Sequence, residues 1–197
     1  MRPTPNMARP TMLASRKRAV TSIWMFPLLV AAVLAGLFIA ASIAAAAEQK
    51  AHADVTWHAT GTPGFIQIDG DGGKATGVVT VDGDVVSGSF ACQLDDFTTG
   101  IALRDRHMRE KYLETGKHPV AVITIDPVDL GKGTRWTGKL TLKGVTKPIA
   151  GDATRAGPKA FAASFDVNLD DFPVGVPSYL GVTVAKTVHV AVRGTVE

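Results

Sequence analysis

The sequence predicts an all-β protein, an antiparallel β-barrel of about eight strands with one short helix at one end. Three observations carry that reading. Short segments of alternating apolar and polar residues recur through residues 54–197, separated by Gly, Asp, Asn and Pro, which is the spacing of antiparallel strands and their turns. One segment, Arg104–Glu114, replaces this alternation with a helical spacing. The alternation is also one-faced, so each strand keeps one wet side. Eight such strands close most simply into a barrel, which removes exposed edges and leaves an interior either filled by side chains or holding one small ligand. A β-sandwich has the same local pattern, and the alternation alone leaves the two architectures open.

Residues 1–18 are polar and basic, and from Ala19 to Ala47 there is no charge. Ala-x-Ala sites follow at Ala45/Ala47 and at Ala51/Ala53. A basic start, an apolar stretch and small residues at a cleavage site make a secretory signal. The uncharged run is also long enough to span a bilayer. Residues 1–53 therefore read as a signal peptide or, uncleaved, an N-terminal membrane anchor, and residues 54–197 as one domain. The expected location is periplasmic or secreted, with membrane contact through the N-terminal segment if it is retained.

Asp54–Thr60 and Gly64–Ile68 read as short opening strands, with Asp69-Gly70-Asp71-Gly72-Gly73 as a turn between strands. Ala75–Val81 ends at Asp82-Gly83, a hairpin signal because both turn positions tolerate positive φ. Asp84–Leu94 places Val86, Phe90, Cys92 and Leu94 on one face and Ser87, Ser89, Ala91 and Gln93 on the other. In the helical segment, Asp105 is the expected N-cap, Met108 and Tyr112 share a face, and Gly116 suits a left-handed position before Pro119. Val120–Ile125 follows. Thr134–Leu142 presents Trp136, Leu140 and Leu142 on one face and turns at Lys143-Gly144. Ala160–Leu169 aligns Phe161, Ala163, Phe165, Val167 and Leu169, and Val182–Val196 aligns Val188, Val190 and Val192.

Residues 1–53 hold six of the 21 basic residues and one of the 18 acidic ones, leaving 15 against 17 in the domain. The basic pI thus belongs to the leading segment, and the domain has no basic footprint for nucleic acid. With Cys92 as the only cysteine, an intrachain disulfide framework is excluded; its phase with Phe90 and Leu94 reads as a buried thiol.

Three stretches resemble the YceI-like family. Thr99-Gly100-Ile101-Ala102-Leu103-Arg104-Asp105-Arg106-His107-Met108-Arg109-Glu110-Lys111-Tyr112-Leu113, followed by His118-Pro119, resembles its Arg-Asp-x-His segment. Gly138-Lys139-Leu140-Thr141-Leu142-Lys143-Gly144-Val145-Thr146-Lys147-Pro148 resembles its Gly-Val-Thr-Lys-Pro hairpin, and Leu169-Asp170-Asp171-Phe172-Pro173-Val174 resembles a late Leu-x-Asp-Phe stretch. The resemblance covers most of residues 75–196. It implies an elongated lipocalin-like barrel with an apolar lumen, exported in bacteria, that binds polyisoprenoid or other long-chain amphiphiles, with no enzyme activity established for the fold. The chain departs from the pattern near its start, where Asp69 stands about where the family has a His. A shortened opening implies fewer wall residues and a shorter or filled lumen.

Phe65, Phe90, Leu94, Trp136, Leu140, Phe161 and Phe165 are the expected lumen residues. They either line a tunnel for an acyl, isoprenoid or quinone-like chain or pack a solid core, in which case the protein is a structural module of the envelope. Arg104, Asp105 and His107 read as a structural loop and helix cap. A hydrolase built on them is less favoured, because no Gly-x-Ser-x-Gly nucleophile elbow accompanies them. His107, Glu110, Glu114 and His118 lack the spacing of a zinc site, and the Asp-Gly loops lack the spacing of an EF-hand. No metal or other cofactor is expected. The sequence leaves the ligand and the oligomeric state open.

Overall fold

The computed structural model describes residues 46–197 apart from Pro63, Phe65, Leu180 and Gly181. Most of the expected signal or anchor, and the candidate Phe65, lie outside the described residues. The strands are β1 (Ala47–Thr62), β2 (Ile66–Asp82), β3 (Val85–Gln93), β4 (Val120–Asp129), β5 (Arg135–Leu142), β6 (Val145–Arg155), β7 (Ala160–Asn168), the two-residue β8 (Ser178–Tyr179) and β9 (Val182–Val196). Neighbours pair antiparallel in the order β1 to β7, then β9, and β9 pairs back onto β1. Eight strands thus close into a barrel, and β8 forms a small hairpin with β9 outside the circuit. Closure settles barrel against sandwich.

The opening of the chain differs from the reading above. β1 begins at Ala47, ahead of the expected domain start at Asp54. Its first residues are integral: Ala51 pairs with Gly77 and Val196, and Ala51 and Ala53 are buried. β2 runs without interruption through Gly70–Gly73, so this stretch is strand rather than turn. Its glycines answer to space and to a bulge. The β1–β2 register shifts between Val55 and Trp57, Gly72 has φ +86, and Asp71 exchanges backbone hydrogen bonds of 2.9 Å with Thr98. β1 and β2 are the longest strands of the barrel.

The hairpins follow turn chemistry. Between β5 and β6, Lys143 and Gly144 both have positive φ, at 50 and 78, as a two-residue primed turn requires. Between β2 and β3 the central pair is Gly83-Asp84, one residue later than expected, with positive φ at Gly83 only.

The β3–β4 connection holds a 3₁₀ turn at Leu94–Asp96 and then α1 (Ala102–His107), which runs into a π-helical turn at Met108–Leu113. The helix starts earlier than expected. Ile101 stands at its N-cap without a side-chain cap, and Asp105 is inside the helix. The left-handed residue that ends it is Glu114, with φ 50, in place of Gly116. The π turn brings Met108, Tyr112 and Leu113 down onto the core and seats the segment across one end of the barrel.

Candidate functional site

The inward faces of the strands enclose a cavity of about 790 Å³, within the range of small-molecule sites. Its wall is overwhelmingly apolar. Lining residues run from Arg104 and His107 of α1 to Arg155 at the end of β6 and Lys159 in the β6–β7 connection, so the cavity extends the length of the barrel. Phe90, Leu94, Trp136, Leu140, Phe161 and Phe165 all line it. It is also lined by Trp57, Ile68, Ile123, Tyr112, Val188 and Val190, which went unassigned as site residues.

Why so many large side chains leave the lumen open is explained by the strand register. Trp57 lies opposite Gly70, Phe90 opposite Gly77, Trp136 opposite Gly151, and Phe161 opposite Gly194. At each of these glycines a Cβ would come within 3.0 Å of the facing ring. The rings therefore lie flat along the wall, over the place where a neighbouring side chain would stand, instead of crossing the lumen. One row carries this around six strands, through the partners Trp136, Gly151, Phe165, Val190, Trp57 and Gly70. Trp136 and Phe165 meet edge to face at 5.7 Å, a favourable aromatic geometry. Side-chain volume is displaced to the perimeter, and the centre remains free.

Cys92 is half-buried and faces the same lumen. Burial, with a smaller effect from the Asp96 charge, pushes its thiol up to about 11, so it stays protonated and serves as apolar wall.

At the helix end, Asp105 is buried. Its carboxylate accepts from the Thr98 hydroxyl at 2.7 Å, the Thr99 amide at 2.7 Å and the Thr99 hydroxyl at 2.5 Å. Burial acts to raise its pKa, but the hydrogen bonds from Thr99 and Thr98, with the Arg109 charge, hold the carboxyl below its usual value. Asp105 therefore staples the loop before the helix rather than capping the helix itself. Arg109 donates to the Phe97 carbonyl at 2.8 Å. At the other end of the helical segment, Glu114 pairs with Lys143 at 2.6 Å and Lys117 at 2.8 Å, and Lys143 donates to the Tyr112 carbonyl. These contacts tie the segment to the β5–β6 hairpin. Arg104 and His107 line the cavity mouth. Among the described residues no cluster of three or more His, Cys, Asp or Glu side chains is placed to hold a metal ion.

The family model for the YceI-like domain matches residues 47–196. The chain belongs to the YceI-like family. The match begins where β1 begins, so the YceI-like domain includes the strand residues ahead of Asp54. A UPF0312 protein of Pectobacterium carotovorum and one of Pectobacterium atrosepticum are each 37% identical over 87 residues, 39% of this chain and 45% of theirs. The chain thus spans less than half the length of these curated relatives. Among solved structures, a polyisoprenoid binding domain from Saccharophagus degradans, implicated in plant cell wall breakdown, superposes with a TM-score of 0.58 at 17% identity, over 77% of this chain and 98% of that one. BcnA of Burkholderia cenocepacia gives 0.57 at 18%, over 72% and 94%. The YceI protein of Campylobacter jejuni gives 0.53 at 19%, over 66% and 85%. At these identities the likeness shows the YceI-like fold.

Proposed function

We propose that this YceI-like barrel is an exported, non-enzymatic carrier of one long apolar or amphiphilic molecule, of the polyisoprenoid, quinone-like or fatty acyl class, held along its lumen. The observation that carries the reading is the cavity of about 790 Å³ with an apolar wall running the length of the barrel. A filled-barrel envelope module needs the inward aromatics to occupy the centre, whereas here they lie against the wall over glycines. Burying an apolar chain there is favourable in proportion to the area removed from water, about 25 cal/mol per Å². The non-enzymatic reading rests on Asp105, whose carboxylate is engaged by Thr98 and Thr99. The related polyisoprenoid binding domain of Saccharophagus degradans supports the ligand class, and the basic and apolar leading segment supports export. The test is organic extraction of protein purified from a bacterial envelope, followed by mass spectrometry. Stoichiometric recovery of one long-chain species is expected. Protein that yields no such species, and takes up none on incubation with envelope lipid, would overturn the reading.

A further inference from the structure

Ile101, Ala102 and Leu103 form an exposed apolar run at the start of α1. Ile101 is 49% and Leu103 42% exposed, and they are two of the four large hydrophobic side chains exposed among the described residues. The other two, Val78 and Val85, stand on β2 and β3. Ile101 and Leu103 differ from those in also lining the cavity, together with Arg104, Ile66, Pro177 and Ser178. They therefore form the rim of an opening between the helix, the start of β2 and the β8 hairpin. Contiguous exposed apolar side chains of this kind mark an interaction site or the edge of a ligand groove.

The charges beside the run select the cover. Arg104 is half-buried at the rim and Arg106 is exposed. Asp105, between them, is turned inward onto Thr98 and Thr99. Glu114 is matched by Lys117 and Lys143. Asp95 and Asp96 stand on the 3₁₀ turn five or more residues before the run, Asp71 is held beside Thr98 on β2, and Glu110 lies a turn further along. The charged side chains that directly follow the run and are not turned inward, Arg104 and Arg106, are thus cationic.

We propose that this rim docks on an anionic lipid bilayer, Ile101 and Leu103 entering the acyl boundary while Arg104 and Arg106 meet the headgroups. The lumen then opens directly onto the membrane, and a long apolar chain passes between bilayer and barrel without crossing water. Apolar side chains joined to a few cations are the combination that holds a protein at such an interface, each cation near the surface strengthening attachment about fivefold. The function given to the contact rests on the carrier reading; the contact itself does not.

The test uses the full chain carrying Cys92→Ser and Leu103→Cys, with an environment-sensitive nitrobenzoxadiazole label at position 103, and a matching protein labelled through Val78→Cys on the barrel wall. Vesicles of phosphatidylcholine alone and of phosphatidylcholine with phosphatidylglycerol are added without ligand. A blue shift and severalfold brightening at position 103 and not at position 78, stronger on the anionic vesicles and weakened more than tenfold in affinity by Arg106→Glu, is the expected result. No response at position 103, or equal responses at both positions, overturns the docking. An equal response to neutral vesicles overturns the part given to the arginines. Because no ligand is present, failure here leaves the carrier reading standing, and an extraction that finds no lipid leaves the docking standing.

Discussion

Gly70→Ala tests the reason the lumen is open. A Cβ at this position would fall well inside 3.0 Å of the Trp57 ring, with no backbone atom among its nearest contacts. Ordinary carbon contacts are about 3.5–4.0 Å, so the ring must retreat by more than an ångström, and the direction left to it is the lumen. Overpacking of this kind costs about 1–3 kcal/mol, which for a domain of this size lowers the melting midpoint by roughly 5 °C. The displaced indole also narrows the barrel at the Trp136–Phe165 level, so affinity for a labelled long-chain fatty acid should drop at least tenfold. The assay is a thermal melt and a fluorescence titration of four proteins: wild type, Gly70→Ala, Trp57→Leu and the double variant. Removing the ring removes the clash, so the double variant should be more stable than the single effects add up to, by about 1 kcal/mol or more. Wild-type stability and affinity in Gly70→Ala, or strict additivity in the cycle, would refute the placement of rings on the wall by missing side chains.

Other expected outcomes are as direct. A variant beginning at Asp54 loses the pairing of Ala47–Ala53 with β2 and of Ala51–Ala53 with β9. Against one beginning at Ala47 it should be destabilised by about 3 kcal/mol or more in denaturant titration, and equal stability would remove these residues from the domain. Phe165→Asp should leave the barrel folded, because the new carboxylate stays hydrated in an open lumen, yet abolish uptake of the labelled fatty acid, since binding must strip that hydration; a variant that cannot fold points to a filled core. Asp105→Ala removes the acceptor for Thr98 and for the Thr99 amide, and should destabilise by about 2 kcal/mol, with faster amide exchange at Thr99 and no change on the far side of the barrel. Glu114, held down to about 2 by hydrogen bonds from Lys117 and Lys143 and by their charges, is depressed on folding. Its contribution is complete above its ordinary value of 4.5 and is lost as pH falls toward 2. The helical segment should therefore loosen across that window, as read by Tyr112 fluorescence, and Glu114→Gln should remove this dependence.

The sequence by itself determined the strand class, most inward faces and the primed turn at Lys143-Gly144, because a pleated strand alternates its side chains regardless of what it packs against. Phe90, Leu94, Trp136, Leu140, Phe161 and Phe165 were legible as inward-facing, cavity-lining residues for that reason, and the motifs around Arg104 and Lys147 were specific enough to indicate the family. The tertiary structure decided what depends on which strand lies beside which. Gly70–Gly73 looked like a turn because glycines cluster in turns, and only the Trp57 ring and the Thr98 backbone across from them show why they sit in a strand. Asp105 looked like a cap because it preceded a helical spacing, whereas its acceptors are claimed by two threonines six and seven residues earlier. Alternation shows that an aromatic points inward; whether it fills the centre or lies along the wall depends on the size of its neighbour on the next strand. That neighbour is glycine four times here, brought alongside by a register no local pattern encodes.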